Sequence, residues 1–198
     1  MKRLLILLIF VSGISFISFG QLKTGIKAGV NICDFIVTST GDNFSNESFN
    51  TKVSYNFGTY VQHLFSEQFG WQVEVLFSNK GYKQKFEDHT ANVSLNYLNL
   101  PILLVYRPIN SLEFELGPEL GYLISGESLV NSFDFGLDIG ARYNISSRFN
   151  FGLRYNNGFP FKMNIDESSN NDVTPKYSNS VIQFYLGFNL TNELKESP

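Results

Sequence analysis

The sequence predicts an all-β fold, a closed antiparallel transmembrane β-barrel of about eight strands in an up-and-down meander. Three observations point to it. Apolar and polar residues alternate through most of the chain after residue 21, the period of a strand and not of a helix. Aromatics crowd the apolar positions, with 20 Phe and 10 Tyr in 198 residues, yet mean hydropathy is only −0.07. Large apolar side chains must therefore be interleaved finely with polar ones. The connections between alternating segments are also short and long by turns, as in barrels with tight turns at one rim and loops at the other.

The chain opens with "MKRLLILLIFVSGISFISFGQ". Lys2 and Arg3 form a positive start, a Leu/Ile-rich stretch follows, and the small residues Ser18 and Gly20 precede Gln21. This layout predicts a signal peptide over 1–20, cleaved between Gly20 and Gln21, with the barrel domain over 21–198. A retained anchor fits less well. The apolar run is broken at Ser12, Gly13 and Ser15 and falls short of the ~18–20 residues a spanning helix needs. The single cysteine, Cys33, does not sit at the cleavage point and has no disulfide partner in the chain. No zinc or haem spacing occurs, so no metal and no cofactor is expected. Net charge is −3 and the pI about 5.4, which disfavours nucleic-acid binding by bulk electrostatics.

Eight alternating segments follow. In the first, Leu22, Ile26, Ala28, Val30 and Ile32 share one face and Lys23, Lys27 and Asn31 the other. The second sets Val53, Tyr55, Phe57, Thr59 and Val61 against Ser54, Asn56, Gly58, Tyr60 and Gln62. The third sets Phe69, Trp71, Val73, Val75 and Phe77 against Gly70, Gln72, Glu74 and Ser78. In the fourth, "YLNLPILLVYRP", Leu98, Leu100, Ile102, Leu104 and Tyr106 face away from Tyr97, Asn99, Pro101 and Leu103. The fifth opposes Leu112, Phe114, Leu116, Leu120 and Tyr122 to Glu113, Glu115, Gly117, Glu119 and Gly121. In the sixth, the odd residues Phe133 to Tyr143 oppose Asp134, Gly136, Asp138, Gly140 and Arg142. The seventh opposes Phe149, Phe151, Leu153 and Tyr155 to Asn150, Gly152, Arg154 and Asn156. The eighth opposes Ile182, Phe184, Leu186, Phe188 and Leu190 to Gln183, Tyr185, Gly187 and Asn189. Each segment predicts a strand of about ten residues, the length that crosses a bilayer when tilted.

Tight polar turns are expected around Ser66, at Pro108 to Ser111 and at Asn144 to Arg148. On the other rim, Asp34 to Thr51, Asn79 to Ala91 and Asn157 to Ser178 read as long loops, and Ser125 to Ser132 as a short one. A soluble barrel or sandwich would also alternate, with its apolar face inward. The sign of the faces argues against it. A narrow eight-stranded interior cannot hold bulky aromatics from every strand, whereas the opposite faces here carry Gly, Glu, Asp, Arg and Lys. The large residues therefore face lipid, and aromatics near strand ends suit the two interfaces. Pro101 cannot donate to the ladder, so a bulge or weakened pairing is expected there.

The blocks "GIKAGVN", "WQVEVLFSNKGYK", "LNYLNLPILLVYRP", "FELGPELGYLISG" and "DFGLDIGARYN" together resemble the PorT-like outer-membrane β-barrel family of the Bacteroidetes. The resemblance spans essentially the whole chain after the signal peptide. It implies a small barrel in the outer membrane of a Gram-negative bacterium, and it implies little about mechanism. The family's namesake is linked to type IX secretion.

Signals for chemistry are sparse. "GLDIG" (136–140) has GxxxG spacing, but on a strand it reads as lumen clearance. Sequons at Asn46, Asn92, Asn144 and Asn189 matter only in a glycosylating pathway. His63 falls at a short turn and His89 in a long loop, which puts them at opposite rims. A lipid-modifying set of Ser94, His89 and Asp88 has no spacing that predicts convergence. The best constellation is inside: Lys27, Glu74, Glu115, Glu119, Asp138, Arg142 and Arg154 all face the lumen. Paired, they close it; partly unpaired, they line a narrow polar path. Small barrels rarely leave a continuous channel, so the expected function is a non-enzymatic, plugged barrel that binds a partner through its long loops or its short turns; a narrow pore for small solutes and a lipid-active enzyme are the alternatives. The expected partners are outer-membrane lipid and a protein held by the loops. The barrel is expected to be a monomer.

Overall fold

The computed structural model describes residues 22–38, 49–85, 90–126, 132–162 and 176–191. The predicted signal peptide lies outside them. Eight long strands build the wall: β1 (Leu22–Thr38), β3 (Lys52–Leu64), β4 (Phe69–Lys85), β5 (Thr90–Ile109), β6 (Leu112–Ser125), β7 (Phe133–Asn144), β8 (Phe149–Gly158) and β10 (Lys176–Asn189). Two-residue strands, β2 (Phe49–Asn50) and β9 (Phe161–Lys162), extend β4 and β10 at one rim. Each long strand is antiparallel to the next, and β1 pairs with both β3 and β10, so the sheet closes on itself. Closure leaves no open edge, as a sheet in lipid requires.

The register defines the barrel's geometry. The chain of cross-strand pairs Leu22, His63, Trp71, Leu104, Leu116, Ile139, Tyr155 and Ile182 returns to β1 at Ile32, ten residues beyond its start. Eight strands with that stagger tilt by about 40° and give a backbone cylinder of about 8 Å radius. Such an interior admits side chains and little else.

The faces divide as the alternation predicts. Phe57, Leu104, Phe135, Ile139 and Leu186 lie exposed on the outer wall, while Gln62, Glu74, Asp138 and Arg154 are buried inside. Aromatics form a band near the short-turn rim, with Phe69 tilted against Tyr106, Tyr106 stacked beside Phe114, and Phe149 edge-on to Phe188. Tyr122 and Phe133 meet near the opposite rim. The interior uses a different aromatic device. Tyr60 sits opposite Gly25, and Tyr185 opposite Gly152, and each ring lies where a methyl group on that glycine would stand. Only glycine leaves room for a ring lying flat against the neighbouring strand.

Three expectations need correction. The strands run from 10 to 20 residues, not uniformly about ten. The stretch Asn79 to Ala91 is mostly strand, since β4 and β5 pair as far as Lys85 and Thr90, with 86–89 outside the described residues. The sign of its faces hid it: inward Tyr82, Val93 and Leu95 are buried, while Asn92 and Ser94 are exposed. Beyond the membrane the outer wall meets water, so the pattern inverts. At Pro101 the weakened pairing expected there is found, without a bulge. The β4–β5 register runs unshifted past it, with bridges missing only at Glu74/Pro101 and Val75/Leu100. A second gap, Ile102/Pro118 and Leu103/Gly117, falls at Pro118, and the register shifts of β5 lie elsewhere, near Asn96 and Ile109. His63 is in β3, tilted against Trp71 at 5.7 Å, rather than in a turn.

The tight turns are Phe65–Gln68, Asn110–Ser111 and Ile145–Arg148. Ser66 and Ser146 each cap their own turn, accepting Phe69 N–H at 2.9 Å and Phe149 N–H at 3.1 Å. The expected long loops fall largely on 39–48 and 163–175, and the short one on 127–131, all outside the described residues.

Candidate functional site: the barrel interior

Period-two alternation aims one side chain in two from every strand into a space too narrow for bulk water, so polar residues there must satisfy one another. Among the described residues, six cations (Lys23, Lys27, Lys52, Lys80, Arg142, Arg154) and six carboxylates (Glu74, Glu113, Glu115, Glu119, Asp134, Asp138) are buried there. They stack in levels along the barrel.

Near the short-turn rim, Arg142 on β7 binds Glu113 on β6, Nε donating at 3.0 Å and Nη2 donating to the same oxygen. Gln62 and Asn144 donate to Glu113 at 2.9 and 3.0 Å. At mid-height, Arg154 on β8 holds Glu74 across the lumen through two parallel hydrogen bonds of 2.9 and 2.8 Å. Its Nη2 also donates to Glu115, and Lys27 pairs with Glu74 at 2.5 Å. Arg142 reaches Glu115 at 3.5 Å, which joins the two levels. Higher still, Lys80 on β4 pairs with Glu119 at 3.0 Å and Asp134 at 3.2 Å. At the outer mouth, neutral oxygens hold the Lys52 ammonium: Asn79 Oδ1, the Lys80 and Val93 carbonyls, and Ser94 Oγ at 2.7 Å. The tyrosines add ring faces. Lys27 lies 4.3 Å from the Tyr185 ring centre, Lys80 5.2 Å from Tyr97 and Arg142 5.5 Å from Tyr60.

The seven charges selected from sequence all point inward. Lys27, Glu74, Glu115 and Arg154 form one cluster, with Arg142 attached through Glu115 and Asp138 standing 3.7 Å from Arg154. Glu119 belongs elsewhere, with Lys80. The selection omitted Lys80 and Lys52, which lay in or beside stretches read as loops, and it omitted Lys23, Glu113 and Asp134 although alternation already placed all three inward. A lysine two positions beyond Ser78 on the same face was the available signal for Lys80. Ser94 serves Lys52, while Asp88 and His89 lie outside the described residues.

These features define a small eight-stranded barrel of the bacterial outer membrane: lipid-facing aromatics, closure without edges, a charged interior and tight turns at one rim. The chain belongs to the outer membrane protein beta-barrel domain family, which matches residues 18–160. Among solved structures it is similar to the outer membrane protein OprG from Pseudomonas aeruginosa, with 15% identity, 85% of this chain and 95% of that chain covered, and a TM-score of 0.52. It also matches Ail, the attachment invasion locus protein of Yersinia pestis, at 14% identity over 83% of this chain and 99% of that one, TM-score 0.42. At 15% identity the likeness to OprG is one of fold. No curated protein matches.

Proposed function

We propose that this protein is a non-enzymatic outer-membrane barrel whose lumen is closed by its own side chains, and that it serves as a binding or structural platform. The observation supporting this is the balance of six buried cations and six buried carboxylates, most of them in contact across an interior of about 8 Å backbone radius. A pair such as Arg154–Glu74 bridges opposite walls and occupies the axis that a solute would use. The partner is a protein, engaged by the segments on the rim opposite the tight turns. The chain reaches the membrane after cleavage between Gly20 and Gln21 and functions as a monomer. The "YLNLPILLVYRP" and "GPELGYLISG" blocks support a place in the PorT-like branch, and with it a link to secretion.

Planar-bilayer recording of the refolded protein tests the closed lumen. The expected trace shows no steady single-channel steps. Steady steps would establish instead a narrow pore for small solutes. Mass spectra of lipid A after overexpression should match the control; a modified species would identify a lipid-active enzyme.

A further inference from the structure

Between the Arg154 cluster and the Lys80 cluster lie two carboxylates with the same incomplete coordination. Glu119 accepts Asn99 Nδ2 at 2.7 Å and Lys80 Nζ at 3.0 Å, both on Oε1, and Oε2 has no donor. Asp138 accepts Asn156 Nδ2 at 2.7 Å on Oδ1, and Oδ2 has no donor. Arg154 Nη1 stands 3.7 Å from that Oδ2, beyond hydrogen-bond reach. Each amide gives its N–H to a carboxylate and keeps its own oxygen, Asn99 Oδ1 or Asn156 Oδ1, without a donor. Gln183, directly opposite Arg154 on the neighbouring strand, is fully buried with Oε1 and Nε2 both unpartnered.

The register gathers these groups. Glu119 lies directly opposite Gly136, two residues before Asp138, and Asp138 lies directly opposite Asn156. Diagonal neighbours on adjacent strands are about 7–8 Å apart at the backbone, a span that two carboxylates close over one ion. Glycine supplies the room. The Asn156 amide lies over Gly136, and Asn99 Oδ1 sits 3.0 Å from where a Gly121 Cβ would stand. The charge at this level is also uneven. Glu119 and Asp134 share Lys80, and Asp138 has no cation within hydrogen-bond distance.

Buried oxygens without donors are costly, and those of carboxylates more so. We propose that Glu119 and Asp138, with the amide oxygens of Asn99, Asn156 and Gln183, form a binding site inside the barrel for a hard divalent cation of the calcium class. Calcium takes six to eight oxygens from carboxylates, Asn and Gln carbonyls and water in flexible geometry, which suits a mixed set drawn from five strands. The candidate donors are all carboxylate and amide oxygens, with no His or Cys among them, so the set is not that of a soft metal. The site is independent of whether the lumen conducts.

The test is calcium binding by the full-length barrel, refolded in detergent with calcium chloride or with chelator. Isothermal titration should give saturable binding with one calcium per chain, and the thermal unfolding midpoint should rise with calcium concentration, as for any ligand that binds only the folded state. Asp138→Asn should fold, judged by its heat-shifted band on a gel, and should bind calcium at least about tenfold more weakly. Gln183→Leu gives the same reading should Asp138→Asn fail to fold, and Glu67→Gln, on an exposed turn, should bind as the parent does. Absence of saturable binding to the folded parent, or unaltered affinity in both lumen variants, overturns the proposal.

Discussion

Arg154 and Glu74, eighty residues apart in the chain, meet across the barrel axis through two parallel hydrogen bonds, 2.9 Å from Nη1 to Oε2 and 2.8 Å from Nη2 to Oε1. Both side chains are shielded completely from solvent. The planar guanidinium matches the carboxylate's two oxygens, an arrangement lysine cannot reproduce. Removing Arg154 leaves Glu74 with Lys27 alone and takes from Glu115 its closest cation. Arg154→Met alone should therefore destabilise by about 3–5 kcal/mol, and the double change Arg154→Met with Glu74→Leu by clearly less. Urea unfolding from lipid vesicles measures both; a double variant weaker than the single would show that the pair itself holds the barrel together.

Gly152 should tolerate no larger residue, because the Tyr185 ring occupies the place of its Cβ. Gly152→Val must displace the ring, and with it the contact of Tyr185 Oη to Glu115 at 3.2 Å. A loss of about 1–3 kcal/mol is expected, in the range of overpacked cores. Gly152→Val paired with Tyr185→Ala should recover part of it in the same unfolding assay. If the double variant recovers nothing, the ring is not what excludes the side chain.

On the outer wall the cost of a charge depends on depth. Ile139 lies at the centre of β7, whereas Phe135 lies near its outer end beside Phe133. Ile139→Arg should cost about 2–4 kcal/mol and Phe135→Arg less, because an arginine near the interface reaches headgroups. Equal costs in vesicles would mean that the membrane is not centred on this part of the wall.

Orientation is tested by accessibility on intact cells. An epitope inserted between residues 163 and 175 should bind antibody without permeabilisation, and one at Glu67, in the turn joining β3 to β4, only after it. The reverse result would turn the barrel over and place the tight turns outside.

What the sequence by itself determined is the facing of each side chain. Alternation is local: once Phe133 looks outward, Asp134 must look inward, and this holds along the strand to Tyr143 and Arg142. Eight segments of that kind, with short and long connections by turns, suffice for a closed meander in lipid, because a bilayer tolerates no open sheet edge. Alternation stopped being a guide where the strands left the membrane. At Tyr82, Val93 and Leu95 the polarity of the faces inverts, since the outer wall there meets water. Only the tertiary structure decided which charges meet. Arg142 takes Glu113 from the neighbouring strand, Arg154 reaches past its neighbours to Glu74, and Glu119 goes to Lys80. The height of each side chain depends on the ten-residue stagger that accumulates around the closed sheet, from Leu22 to Ile32. No single strand encodes that stagger, because it is the sum of every register in the barrel.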